Sequence, residues 1–277
     1  MIIGIIIEAS PLHKGHEYFI KEIKKRYNDC TLICVTSSSF TMRGEISLIN
    51  KFNKTTYLLQ IGIDAVFELP ITKTLHSGTF FARNAINLLN KIGVDKIICG
   101  ATWNSIDDCK LIDEIINQDE FNIILKQELN NHLSYKKAWI SALKKYNVKE
   151  EILQGFAESN NQLAWEYYQT IKKKQYHIEL EFIKRKYDKD LPSGRMLNKL
   201  VLENNNINYY LPFNEEIIDL KTSINKLTDL IKYNLLFNNN LHLDDKEGIY
   251  NYLKNNLNLE LDGSVFFENY ANKSNCY

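Results

Sequence analysis

Short apolar runs alternate with amphipathic stretches through the first hundred residues. Residues 2–7 are apolar throughout apart from Gly4. A run of that length predicts a strand buried on both faces of a parallel sheet. Residues 16–26 follow with apolar positions at Phe19, Ile20 and Ile23, the spacing of one helix face. The same reading predicts strands over 32–35, 65–69 and 96–99, with helices over 48–59 and 80–92. Residues 105–147 read as largely helical, Trp139 and Leu143 lying four apart on one face. An amphipathic helix over 159–173 and a strand over 177–185 complete the pattern. Repeated βα units imply a doubly wound parallel sheet with helices on both faces. Past Leu200 the character changes, as Asn-rich patches at 204–206 and 238–240 separate apolar helical segments. The expected organisation is an α/β domain over 1–200 and a small helical C-terminal extension over 201–277.

Composition narrows this picture. Lys plus Arg and Asp plus Glu both number 34, so the chain is formally neutral. Any nucleic-acid contact must come from a local basic patch rather than from a global field. The five cysteines, Cys30, Cys34, Cys99, Cys109 and Cys276, form no CxxC pair. They read as reduced core thiols of a cytoplasmic protein, and no spacing supports a metal site. The N-terminal run lacks a basic flank and reads as a buried strand, not a signal peptide. No run reaches the roughly 18 apolar residues of a membrane helix.

The strongest chemical signal is Glu8-Ala9-Ser10-Pro11-Leu12-His13-Lys14-Gly15-His16, directly after the first strand. A strand, a short loop and a helix opening with His-x-Gly-His place two imidazoles beside a helix N-terminus. That terminus presents free N–H groups and the positive end of the helix dipole, a setting for phosphate. Gly15 is read as leaving room for a ligand to approach the backbone. A second constellation, Arg43 and Lys51, follows the second strand at the sheet edge where α/β proteins bind ligands.

These segments resemble the HIGH-motif nucleotidyltransferases. More narrowly, EASPLHKGH, SSSFTMRGE followed by Lys51, FELP, FFAR, Gly100, SNNQLAWEY and IKR resemble the bacterial tRNA(Met) cytidine acetate ligase family across roughly residues 1–200. The resemblance implies a Rossmann-like ATP-binding domain that joins acetate to ATP as an adenylate. Transfer to the wobble cytidine of elongator tRNA(Met) would follow, with Mg²⁺ accompanying ATP. It assigns Ile6, Ile7, Glu8, Ala9, Ser10, Pro11, His13, Gly15 and His16, with Gly100, Asn160, Asn161 and Arg185, to ATP. His13, His16, Arg43 and Lys51 would carry the chemistry. Asn160 and Asn161 read alternatively as a helix N-cap region, Arg185 as a solvated strand end.

The family's late Ser-x-Thr-x-Ile-Arg element is replaced by Ser193-Gly194-Arg195-Met196-Leu197-Asn198. Ser193 is expected to cap a helix there and Arg195 to substitute for the displaced arginine. For RNA, the candidate patch is the basic stretch 172–189, in which Lys172, Lys173 and Lys174 are followed by Lys184, Arg185, Lys186 and Lys189, with Tyr176 and Tyr187 interleaved. A solvated charge run is the alternative reading of it. Two rival functions remain at this point: a nucleotidyltransferase with a small-molecule acceptor, and a degenerate nucleotide-binding module without catalysis.

Overall fold

The structure, a computed structural model, describes residues 1–103, 105–131, 133–185, 193–214 and 217–238. Five strands form one parallel sheet: β1 (Ile2–Ile6), β2 (Thr31–Ser37), β3 (Ala65–Leu69), β4 (Lys96–Ala101) and β5 (Glu179–Lys184), in the order β3-β2-β1-β4-β5. Helices α1 (Lys14–Arg26), α2 (Lys51–Gln60), α3 (Ile71–Thr74) and α4 (Gly78–Ile92) connect the first four strands. Helices α5 (Asp107–Ile116), α6 (Asp119–Asn130), α7 (Tyr135–Lys144), α8 (Glu150–Ala157) and α9 (Ser159–Lys174) fill the long β4–β5 crossover. α10 (Gly194–Leu202) and α11 (Leu220–Asn238) follow β5.

Each predicted strand forms, and along β2 apolar side chains alternate between two apolar layers. Leu32 and Cys34 face one layer with Ile3, Ile5, Ile20 and Ile23. Ile33 and Val35 face the other with Phe81, Ala85, Leu89 and Ile97. Gly4 interrupts the apolar run for a packing reason: a β-carbon there would lie 2.8 Å from Leu89 Cδ2.

Helix boundaries depart from the apolar pattern where caps intervene. Leu48 and Ile49 are buried but precede α2, because Asn50 accepts the Phe52 N–H (2.8 Å) and starts the helix at Lys51. α1 begins at Lys14, two residues earlier than the periodicity predicts, because His13 is its cap. α3 and α8 go unpredicted, being too short to establish a period.

α10 runs through position 200. Leu197, on this helix, shares a small buried cluster with Leu48, Ile207, Leu211 and Leu220. The segment after β5 is therefore packed onto the loop preceding α2. The part of the expected C-terminal extension beyond residue 238, together with Cys276, Lys186, Tyr187 and Lys189, lies outside the described residues. Among the described residues, no helix is long and apolar enough to cross a membrane. Cys30, Cys34 and Cys109 are buried free thiols, and burial pushes the Cys34 thiol up to about 12.

Candidate functional site

The strand order reverses between β1 and β4, and the carboxyl ends of these two strands open into a cavity of about 480 Å³. A crevice at such a reversal is where doubly wound sheets bind ligands. β1 and its loop contribute Ile6, Ile7, Glu8, Ala9 and Ser10, and α1 begins beside them with His13, Gly15 and His16. Gly100 from β4, Asn160 from α9 and Arg185 after β5 line the same cavity.

The two histidines form a reciprocal cap on α1. His13 Nδ1 accepts the Gly15 N–H (3.1 Å), and His16 Nδ1 accepts the His13 N–H (3.3 Å). Their ring centroids lie 3.9 Å apart. With both Nδ1 atoms acting as acceptors, each neutral ring carries its proton on Nε2 and keeps that N–H as a donor. Burial, reinforced by Arg185, holds His13 down to about 4; burial likewise holds His16 well below the usual imidazole range, with His13, Arg185 and Lys54 adding to it. Both rings are thus neutral donors at pH 7. Gly15 turns out to serve the cap: a β-carbon there would lie 2.9 Å from His13 Cε1 and Nδ1. The glycine makes room for the imidazole itself.

This arrangement predicts an acid sensitivity. The unfolded chain binds a proton at His13 near pH 6.5, and the folded chain only near pH 4. Stability therefore falls as pH drops from 6.5 toward 4, by about 3 kcal/mol for this group. His13→Asn keeps a capping oxygen and removes the titration. Urea unfolding at pH 7.5 and pH 4.5 should show a smaller acid loss in the variant than in the parent. Equal losses would refute the assignment, since His16 and Glu8 remain in both proteins.

Glu8 is a half-buried carboxyl whose Oε1 accepts the Met42 N–H (2.6 Å). Burial raises its pKa, while Met42 N–H, Arg43 and Lys54 oppose the rise. The next residue, Ala9, has φ +46°, a left-handed conformation costly for a residue with a β-carbon. Opposite this loop, residues 39–47 fold back as a small hairpin, closed by Thr41 N–H to Glu45 O (2.9 Å) and Ser47 N–H to Ser39 O (2.8 Å). It sets Thr41, Met42, Arg43 and Glu45 on the cavity wall, and Glu45 accepts from Asn198 Nδ2 (3.1 Å).

Some residues expected at the site lie elsewhere. Lys51 is absent from the cavity lining and pairs instead with Glu68 (2.9 Å), both partly exposed. The reason is its position at the first turn of α2, directed toward the end of β3. Asn161 is 0% exposed and committed internally: Oδ1 accepts Thr102 N–H (2.8 Å), and Nδ2 donates to Thr102 Oγ1 (2.6 Å) and Gly155 O (2.9 Å). Only its neighbour Asn160 faces the cavity. Neither Asn caps α9, which starts at Ser159 without a side-chain cap. Pro11 is buried behind the lining. Lys172, Lys173 and Lys174 lie at the far end of α9, about 8–10 Å of helix rise beyond Tyr167, the last residue of that helix in the cavity lining, and Lys172 is paired with Asp113.

The replaced element at 193–198 keeps its place. Ser193 Oγ accepts the Met196 N–H (3.3 Å) and caps α10, and Ser193, Gly194, Arg195 and Asn198 line the cavity. A helix N-terminus and a guanidinium therefore survive the altered spacing.

The residue that sequence reasoning missed is Lys54. It is 0% exposed, and its Nζ donates to the carbonyls of Glu8 (3.0 Å), Ser37 (3.1 Å) and Ser38 (3.1 Å). The available signal was a lysine on the same α2 face as buried Leu58, four residues on.

Fold and site together define a doubly wound α/β domain with a cavity suited to a nucleotide at the reversal of its strand order. A family model described as HIGH Nucleotidyl Transferase matches residues 1–275, and the chain belongs to that family. Among its relatives, a Fusobacterium nucleatum protein named tRNA(Met) cytidine acetate ligase is 32% identical over 94% of this chain and 70% of its own length. A Clostridium novyi protein of the same name is 36% identical over 88% of this chain and 62% of its own. The crystal structure of Thermotoga maritima TmcAL bound with alpha-thio ATP superposes with a TM-score of 0.70 at 26% identity, covering 82% of this chain and 56% of that one. The chain thus spans a little over half to about two thirds of the length of these relatives.

Proposed function

We propose that the chain activates acetate with ATP and transfers the acetyl group to the wobble cytidine of elongator tRNA(Met) in the cytoplasm. The observation that carries this reading is the meeting of two neutral imidazole N–H donors with Arg43, Arg185 and Arg195 in one cavity. That set suits a triphosphate and a small carboxylate. In the first step an acetate oxygen attacks the α-phosphorus, the bond to pyrophosphate breaks, and an acetyl-adenylate remains. His13 and His16 stabilise the charge gathering on the phosphate oxygens, and the arginines hold the leaving pyrophosphate and the carboxylate. In the second step the cytidine amine attacks the acetyl carbon, AMP departs and the amine loses a proton. Gly100 and Asn160 border the nucleotide in this scheme.

Mg²⁺ would enter with the nucleotide on its phosphates. The acidic side chains of the lining are Glu8, Glu45 and Glu158, and the first two already accept Met42 N–H and Asn198 Nδ2. The names of the relatives and the ATP analogue in the Thermotoga structure support the same reading. The retained Ser193 cap and Arg195 favour a working site over a degenerate one.

The test is acetate-dependent exchange of labelled pyrophosphate into ATP, followed by mass spectrometry of tRNA nucleosides after incubation with acetate and ATP. N4-acetylcytidine in elongator tRNA(Met) is the expected product. Exchange without any modified nucleoside would move the acceptor to a small molecule.

A further inference from the structure

The cavity explains activation of the carboxylate, but its lining does not show how a nucleotide of an RNA loop is brought to it. The acceptor amine must come within bonding distance of the acyl carbon, so the surface that guides the base has to adjoin the rim. The lysines at the end of α9 lie beyond the lining residues of that helix, and Lys172 is committed to Asp113.

Beside Lys14, at the start of α1, the sequence 206–211 builds a short anchored turn. Ile207 and Leu211 are buried in the cluster with Leu48 and Leu197, and the Asn208 N–H is accepted by Asn206 Oδ1 (2.8 Å). Between these anchors, the 3-10 turn Asn208–Tyr210 holds Tyr209 outward, 62% exposed. Tyr210 meets it edge-on, with ring centroids 5.2 Å apart. Lys14 Nζ lies 4.3 Å from the Tyr209 ring centroid. Lys14 sits between His13 and Gly15, both in the cavity lining. A large aromatic ring is therefore held in solvent on a fixed turn beside Lys14, the residue between the lining positions His13 and Gly15.

We infer that Tyr209 and Lys14 form the docking platform for an unstacked RNA base and its phosphate at the mouth of the cavity. An exposed tyrosine offers a sequence-tolerant stacking face, and the ammonium supplies a backbone contact. Fixing both on an anchored turn and a capped helix lowers the ordering cost of binding. This inference rests on the proposed RNA acceptor and deepens it.

The experiment uses the full chain and an unmodified elongator tRNA(Met) transcript. Equilibrium binding is measured over a range of salt, and acetate-dependent pyrophosphate exchange is measured without RNA. Tyr209→Ala should weaken tRNA binding about tenfold or more, with exchange unchanged, and Tyr209→Trp should retain binding. Lys14→Gln should reduce the salt dependence of binding by about one phosphate contact. Unaltered tRNA affinity in Tyr209→Ala overturns the platform while leaving the acetylation reading intact. An equal fall in exchange also overturns it, because Tyr209 would then be supporting the cavity. A parent protein that exchanges pyrophosphate yet binds no tRNA refutes the platform together with the RNA acceptor. One that binds tRNA through Tyr209 without acetylating it upholds the platform and refutes the activity.

Discussion

His16→Ala should lower acetate-dependent pyrophosphate exchange by roughly a hundredfold or more, the cost of about 3 kcal/mol for one lost donor to transition-state charge. The Nδ1 atom of His16 is occupied by the His13 N–H, so the ring has one role left toward a ligand, donation from Nε2. Burial keeps that ring neutral, so the donor is present across the physiological range and no protonation step near pH 6.5 is needed. The fall should therefore be similar at pH 6.5 and pH 8. Loss of the reciprocal cap will cost about 1 kcal/mol of stability, which a urea titration of the variant measures separately. Full exchange activity in a folded His16→Ala protein would reduce this histidine to a helix cap.

Lys54→Met should destabilise the fold by about 3 kcal/mol, lowering the melting temperature by roughly 6–12 °C in a domain of this size. Methionine nearly matches the lysine stem, so the loss isolates the ammonium. Without it, the carbonyls of Glu8, Ser37 and Ser38 lose a shared donor at the ends of β1 and β2. ATP affinity should fall as well, because the same loop carries Glu8 and leads into the His13 cap. Calorimetry for the melting temperature and nucleotide titration for affinity check the two parts. A melting temperature within 2 °C of the parent, on the same size scaling, would mean that water replaces the ammonium and that the tether is not structural.

These two expectations differ in how they could be reached. The His13–His16 segment announces itself in the sequence, since a strand, a loop and a helix start are all local features. The parallel sheet was equally legible, because residues buried on both faces must be apolar in unbroken runs, as at 2–7 and 32–35. Gly100 and Arg185 could be placed for the same reason, since each directly follows or ends a predicted strand, and Arg43 because it lies in the loop after one; strand ends share one edge of a parallel sheet.

What the tertiary structure alone decided is where long-range partners compete for a side chain. Asn160 and Asn161 are adjacent in sequence, yet the helical turn of about 100° per residue aims one into the cavity and the other at Thr102 and Gly155. Lys51 and Lys54 stand one turn apart on α2; one meets Glu68 in solvent, the other is drawn under the loops by three carbonyls. Gly15 reads as a ligand-facing glycine until the His13 ring is seen against it. Tyr209 carries no signal at all until α10 and the anchored turn bring it beside Lys14, almost two hundred residues away in the chain. Local pattern sets which elements form because their hydrogen bonds and apolar faces are local; it cannot say which of two neighbouring polar side chains will find a partner, because that partner belongs to another element.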